Sequence, residues 1–209
     1  MRRTALVALP VAFAVALGGM ACTSALGASK PRCVPKPRAQ CKGANLAGRN
    51  LKGRNLTGIN LQGANLKGAN LSGANLSGAR LRDANLNKAN LTGATVTAAN
   101  IAGAKMSTTV LTAVVSGRML GTPDSLSSVF QVVDGYLVGP GANLTGARLV
   151  GDTLANATLD GAILTNANLT GATLQATSAR NIVATGVNLT AATFTTVDLT
   201  GANLSGALG

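Results

Sequence analysis

The amino-acid sequence predicts an all-β solenoid, in which the chain winds as a regular coil around a narrow apolar axis. Leucine occupies every fifth position from Leu46 to Leu91 and again from Leu144 to Leu174, and the repeating unit reads Ala-Asn-Leu-polar-Gly. A period of five matches neither the 3.6 of a helix nor the 2 of a flat strand. If each unit forms one side of a coil and then turns a corner, every leucine points inward and every Asn outward.

Composition agrees with a narrow coil. The 209 residues include one Tyr, three Phe and no Trp, which is too few large side chains for a conventional globular core of this length. A coil that stacks leucine on leucine needs no large side chains. The predicted inward leucines are Leu46, Leu51, Leu56, Leu61, Leu66, Leu71, Leu76, Leu81, Leu86, Leu91, Leu144, Leu149, Leu154, Leu159, Leu164, Leu169 and Leu174.

These units resemble the pentapeptide repeat family, whose A(N/D)LXX pattern is met by roughly two dozen units over about five sixths of the chain. The resemblance implies a right-handed quadrilateral parallel β-helix with four pentapeptides per coil. Under that arrangement Leu46, Leu66, Leu86 and Met106 stack on one side of the coil.

Residues 1–28 have the order of a secretory signal peptide. Arg2 and Arg3 precede an apolar run over residues 5–17, and small residues follow the run. We therefore expect a secreted, extracellular protein. The alternative is a lipoprotein anchored at Cys22.

Residues 29–42 are predicted to form a cap over the N-terminal end of the coil. Once a signal peptide is removed, Cys33 and Cys41 are the remaining cysteines, and an even count in an exported protein indicates a disulfide. The alternative is two free thiols. A metal site is disfavoured because the chain has no His and no second cysteine pair.

The first repeat block covers residues 43–113 and begins atypically. Arg49 and Arg54 stand where later units place Ala, and an unpaired arginine inside an apolar tube would be costly. We expect both side chains to splay outward from a terminal coil. The alternative is that they bind an anion at the mouth of the coil.

An insert over residues 114–141 interrupts the leucine spacing. Residues 129–133 and 136–138 read as two short strands, and the Asp134-Gly135 pair between them is a strong hairpin signal. The insert is therefore predicted to be a β-hairpin that interrupts the solenoid.

The second repeat block covers residues 142–209. Ala179 and Ala184 replace two core leucines there, whereas Ile182 and Val187 replace two small residues. Because the exchange roughly conserves volume, we expect the coil to continue through it with looser packing.

Catalytic groups are scarce. The chain has no His and no Glu, and its six Asp residues are scattered. A hydroxyl without a neighbouring base is a weak nucleophile. We therefore expect no enzyme activity, no cofactor and no metal.

Charge is the remaining surface signal, with 18 Lys and Arg against six Asp. Eight basic residues fall in one segment that contains no acid: Lys30, Arg32, Lys36, Arg38, Lys42, Arg49, Lys52 and Arg54. Such a segment favours polyanions, here wall polymers or anionic lipid surfaces. The alternative is a solvated tail that aids solubility. Nucleic acid is disfavoured because stacking aromatics are missing.

The first functional hypothesis is an exported structural or interaction module, whose basic N-terminus holds anionic envelope polymers or whose rod binds an unknown protein. The alternative is a DNA mimic that acts on topoisomerases, an activity known in the family that requires an acidic rod in the cytoplasm. Basic charge and the predicted export both disfavour the alternative.

The repeat pattern runs on through Leu204 to Gly209, so the final coil is expected to expose unpaired backbone and core leucines. Such an edge invites pairing, and we expect weak end-to-end dimerisation through this coil. The alternative is that the last residues fray and blunt the edge.

Overall fold

The computed structural model describes residues 33–209. The predicted signal peptide over residues 1–28, the alternative anchor at Cys22, and the basic residues Lys30 and Arg32 lie outside the described residues. From Cys33 onward, no helix has the length and apolar character needed to cross a membrane.

The described residues form strands and bridges without a helix. Six short strands are defined: β1 Lys105–Met106, β2 Ser125–Leu126, β3 Gln131–Val133, β4 Tyr136–Val138, β5 Thr173–Gln175 and β6 Thr193–Thr195. Strand β1 pairs with β2 and β5 with β6, both in parallel, whereas β3 and β4 pair antiparallel. Elsewhere, single parallel bridges between successive coils hold the chain together.

One coil contains twenty residues, as four pentapeptides require. Asn45 pairs with Asn65, Asn65 with Asn85, and Asn85 with Lys105. The predicted stack of Leu46, Leu66, Leu86 and Met106 follows from this register, and all four side chains are buried. The chain is therefore the quadrilateral coil that the repeat implied.

We number the four sides by their outward rows. Side 1 carries Gln40, Asn60, Arg80, Asn100 and Leu120; side 2 carries Asn45, Asn65, Asn85, Lys105 and Ser125; side 3 carries Asn50, Asn70, Asn90 and Val110. Side 4 is continuous through eight rungs: Asn55, Asn75, Thr95, Val115, Asn143, Ile163, Val183 and Asn203.

The corners explain the glycine at the end of most units. In a typical corner the Ala64 N–H donates to the Leu61 carbonyl at 2.9 Å, and Gly63 has a φ of 62°. A positive φ at the third residue is the requirement of a type II turn, which glycine meets without a steric cost. Glycine at the end of a unit therefore lets the chain turn into the next side.

The axis of the coil is filled by the predicted leucines. All seventeen are buried, and none is more than 4% exposed. Alanines such as Ala64 and Ala69 fill the space between them, also buried. Full burial of a leucine stabilises the fold by about 1.5–3 kcal/mol, so the repeat itself supplies the core.

Asparagine points outward, as predicted, and it also braces the turn. In the unit that contains Asn70, the side-chain Oδ1 accepts the Ser72 N–H at 3.1 Å and the Ser72 hydroxyl at 2.8 Å. Asn55 holds Thr57 in the same way. These local bonds explain why Asn precedes leucine and why Ser or Thr often follows it.

The N-terminal end of the coil is closed by a disulfide. Cys33 and Cys41 are joined, with Cα atoms 5.3 Å apart, and Cys41 occupies the leucine position of its unit, buried in the core. The ladder already includes Gln40, ahead of the predicted start of the repeat block at residue 43. Arg49 and Arg54 are exposed, in line with the expectation that they splay outward.

The insertion changes the register by eight residues. Val115 pairs with Asn143, twenty-eight residues later instead of twenty. The coil continues through β2, so it extends beyond the predicted boundary at residue 114. The antiparallel pair of β3 and β4 follows, with Asp134 and Gly135 between the strands.

Aromatic side chains pack the insertion against the coil. Phe130 packs against the buried residues both before and after the insertion. Its ring lies directly against Gly139, leaving no room for a Cβ there. Gly117 likewise lies under the ring of Tyr136. The insertion is thus a packed part of the coil, not a loose loop.

The coil continues through the exchange of large and small residues at positions 179–187. Ala179, Ala184, Ile182 and Val187 are all buried, and the ladder continues beyond them. A cavity of about 20 Å³ lies among these residues and their neighbours. The exchange therefore leaves little empty volume in the core.

The inward position of Leu76 can be tested by charge. Leu76→Asp should lower the free energy of unfolding by about 4 kcal/mol or more, because it buries an unpaired carboxylate between coils. Ser77→Asp, one residue away and outward, should cost about 1 kcal/mol or less. Thermal and urea unfolding measure both, and equal losses would contradict the inward assignment.

The contact between the Tyr136 ring and Gly117 can be tested by a double-mutant cycle. A Cβ at Gly117 would lie 2.7 Å from Tyr136 Cε1, and the φ of 139° is already unfavourable for alanine. Gly117→Ala should therefore cost about 1–3 kcal/mol more in the wild type than in a Tyr136→Ala background. Urea unfolding gives the comparison, and the same cost in both backgrounds would show that the ring does not crowd Gly117.

Candidate functional site

The basic segment predicted from sequence does not form one patch. Six of its eight residues are described, and all six are exposed: Lys36, Arg38, Lys42, Arg49, Lys52 and Arg54. Winding of the coil distributes them around the rod. Lys42 belongs to side 1, Arg49 and Lys52 to side 3, and Arg54 to side 4, whereas Arg38 lies at the corner between sides 4 and 1.

Side 1, taken with the corner that leads into it, carries the densest group of cations among the described residues: Lys42, Arg80 and Arg82 on the side itself, and Arg38 and Arg118 at the corner. The coil-to-coil bonds establish the rows. The Gly43 N–H donates to the Gln62 carbonyl and the Gly63 N–H to the Arg82 carbonyl, both at 2.8 Å, so Gln62 lies between Lys42 and Arg82. We call this group the side 1 cluster.

Three of the five members of the side 1 cluster were missed by the sequence analysis, which searched for charge within a continuous segment. Arg80, Arg82 and Arg118 lie beyond that segment. The signal that could have found them is spacing in multiples of twenty, because Arg118 follows Arg38 by eighty residues and Arg82 follows Lys42 by forty.

A groove of about 260 Å³ lies within the side 1 cluster. Its lining residues are Gln62, Gly78, Arg80, Arg82, Ala98, Asn100 and Leu120. Arg80 and Arg82 flank the buried Leu81, so both guanidinium groups leave the coil on the same side. The small residues Gly78 and Ala98 keep the corner open.

One acid lies beside the groove. Asp83 Oδ2 is 3.5 Å from Arg82 Nε, and both side chains are more than half exposed. Exposed pairs of this kind stabilise by about 0–1 kcal/mol, and a guanidinium has five N–H donors. The pair therefore leaves Arg82 able to bind a further anion.

Charge is divided along the coil. Residues 33–123 contain twelve Lys and Arg and one Asp, whereas residues 141–209 contain two Arg and three Asp. The first half is strongly basic and the second close to neutral, so the positive potential is concentrated on the N-terminal half.

Two of the three acids of the second half, Asp160 and Asp198, are partly neutralised within their own side. Arg180 Nε lies 3.4 Å from Asp160 Oδ2 and 3.5 Å from Asp198 Oδ2. The hydroxyl of Ser178 donates to Asp160 at 2.6 Å, and this bond is the main cause that lowers the pKa of Asp160. The pKa of Asp198 is lowered chiefly by the hydroxyl of Thr200. These carboxylates therefore stay ionised and bound to neighbouring coils.

Metal ligands do not cluster in the described residues. From Cys33 to Gly209, no group of three or more His, Cys, Asp or Glu side chains is placed to hold a metal ion. The chemistry that the arrangement offers is binding of anions at guanidinium groups.

The comparison with protein families gives one match. The model described as "Pentapeptide repeats" matches in eight copies over residues 39–78, 74–112, 141–175 and 167–206, which together make up more than half of the chain. A search of the curated proteins gives no match.

Solved structures with a similar fold include HetL, a protein involved in heterocyst differentiation regulation in the cyanobacterium Nostoc sp. strain PCC 7120. HetL is 28% identical over 82% of this chain and 70% of its own, with a TM-score of 0.37. Rfr23 from the cyanobacterium Cyanothece 51142 is 21% identical over 78% of this chain and 90% of its own, with a TM-score of 0.21.

QnrB1, a plasmid-mediated fluoroquinolone resistance protein, is 16% identical over 78% of this chain and 90% of its own, with a TM-score of 0.27. Superpositions this loose carry no argument about what this chain binds.

Proposed function

Because this chain belongs to the pentapeptide repeat family, whose right-handed quadrilateral β-helices generally serve as non-enzymatic structural or interaction proteins, we propose that it is an interaction module that binds anionic polymers. The observation that carries the proposal is the division of charge along the coil. Twelve basic residues against one acid in residues 33–123 favour a polyanionic partner.

The arrangement of the described side chains supports binding over catalysis. Asp160 and Asp198 are engaged by Arg180, and no His stands beside any hydroxyl because the sequence has none. General acid–base catalysis needs a group that exchanges protons near neutral pH, and nucleophilic catalysis needs an adjacent base. We therefore assign the protein no enzyme activity.

We place the protein outside the cytoplasmic membrane, where its partner would be an anionic polymer of the cell envelope. Two features support this location. The order of residues 1–28 is that of a secretory signal peptide, with lipid attachment at Cys22 as the alternative. The disulfide between Cys33 and Cys41 is of a kind that persists in oxidising compartments.

A topoisomerase-directed DNA mimic is the competing function. A mimic of DNA must present negative charge, whereas the first half of this coil is strongly positive. The loose likeness to QnrB1 does not alter this argument, and we do not propose the activity for this chain.

Binding to a polyanion should depend steeply on salt. We expect the full chain to bind a fluorescent poly(glycerol phosphate) at low ionic strength and to lose affinity as salt rises, because exposed charges are screened. Replacing Lys36, Arg38 and Lys42 by Gln should weaken binding by about tenfold. Fluorescence anisotropy measures both effects. Binding that ignores salt, or no binding, would leave these residues with a role in solubility alone.

We further propose that two copies associate weakly through the coil that carries Phe194, Leu199 and Leu204. This coil leaves apolar groups in solvent, since Phe194 is 42% exposed and Leu208 is 59% exposed. Exposed apolar surface favours association between copies. Fraying of the last residues is the competing outcome.

Sedimentation velocity over a concentration series tests this association. The expected result is a monomer that shifts towards a dimer at high concentration, and a Leu204→Lys variant that stays monomeric. A strict monomer at high concentration would contradict the dimer. A dimer that persists in Leu204→Lys would place the contact elsewhere.

A further inference from the structure

We propose that the groove between Arg80 and Arg82 on side 1 is the site that holds phosphodiester groups of the anionic polymer. This inference rests on the proposed function and sharpens it, because it names one side of the coil and one chemical group. The basic segment read from sequence would spread binding over three sides.

The two guanidinium groups form the walls of the groove. Arg80 and Arg82 are outward neighbours separated by the buried Leu81, and both are exposed. Alternate residues on one extended side lie about 7 Å apart, which is close enough for two long side chains to converge on one tetrahedral anion. An anion between them gains two charge-assisted contacts.

Two amides frame the guanidinium groups. Gln62 lies one coil before Arg82, and Asn100 one coil after Arg80. Asn100 accepts the Ala102 N–H through its Oδ1 at 3.1 Å, so its Nδ2 hydrogens remain as donors. A phosphodiester has acceptor oxygens in several directions, and this set of donors can meet them.

The use of arginine distinguishes side 1 from the neighbouring basic side. The cations of the side 1 cluster are four Arg and one Lys, whereas side 2 carries Lys67 and Lys105, with Lys88 at the corner that follows it. A guanidinium binds phosphate with two parallel N–H donors, whereas an ammonium acts as a point charge. The chemistry of side 1 therefore fits phosphate better than that of side 2.

The cluster continues along the axis, which favours a linear polymer over a single small anion. Coils are stacked about 4.8 Å apart, so Lys42 lies about 10 Å from Arg82 along the same row. Arg118 marks the far end of the cluster, beside Leu120, which is 59% exposed. Leu120 offers the carbon backbone of a polymer an apolar contact at the end of the groove.

The test compares two double variants that remove the same charge from different sides. Arg80→Gln with Arg82→Gln removes both guanidinium groups from the groove, whereas Arg49→Gln with Lys52→Gln removes two exposed cations from side 3. With poly(glycerol phosphate) at low ionic strength, we expect at least a tenfold loss for the first pair and less than a threefold loss for the second. All four side chains are exposed, so both variants should melt with the wild type.

A third variant tests the two-donor geometry of the guanidinium groups separately from their charge. Arg80→Lys with Arg82→Lys keeps the charge, and it should weaken binding to poly(glycerol phosphate) by about fivefold or more, whereas Arg49→Lys on side 3 should leave binding unchanged. Equal binding of poly(glycerol phosphate) by the double Lys variant and the wild type would overturn the assignment of the two guanidinium groups to phosphodiesters.

The outcomes distinguish the site from the function. Equal losses in the side 1 and side 3 double variants would overturn the groove while leaving polyanion binding in place. A wild-type chain that does not bind poly(glycerol phosphate) would overturn the proposed function itself.

Discussion

The ladder of backbone bonds between residues twenty apart is the constraint on which the rest of the structure depends. It joins Asn75 to Thr95 and Arg80 to Asn100, and it fixes which side each residue faces. The leucine at the centre of each side then points to the axis of the coil. Because the coil is narrow, one buried leucine and one buried small residue per pentapeptide fill it, and the other three positions are open to surface chemistry.

The same ladder determines which residues that are distant in sequence become neighbours on the surface. Residues such as Lys42 and Arg82 are forty positions apart and share a row, whereas Arg49 and Lys52 lie close to Lys42 in sequence and face another side. Charge on this fold must therefore be read by position within the coil. A basic segment disperses around the rod, and a basic side assembles from several coils.

The fold could be predicted from sequence because one period governs every level of it. The buried leucines, the outward Asn and the glycine corners all follow from that period, and Leu76 with Gly78 illustrates two of them. The groove at Arg80 could not be predicted by a search for continuous charge. The eight-residue change of register between Val115 and Asn143 could not be predicted from sequence either, because it depends on how Phe130 packs the insertion against the coil.

Cross-linking across the coil tests the account most directly. Gln62→Cys with Arg82→Cys places two thiols twenty residues apart on side 1, where adjacent strands lie about 4.8 Å apart and a disulfide can form. Gln62→Cys with Ser77→Cys, fifteen residues apart, places them on different sides. Mass spectrometry after mild oxidation should find the first bridge and not the second. The second bridge without the first would contradict the twenty-residue coil and the side 1 cluster built on it.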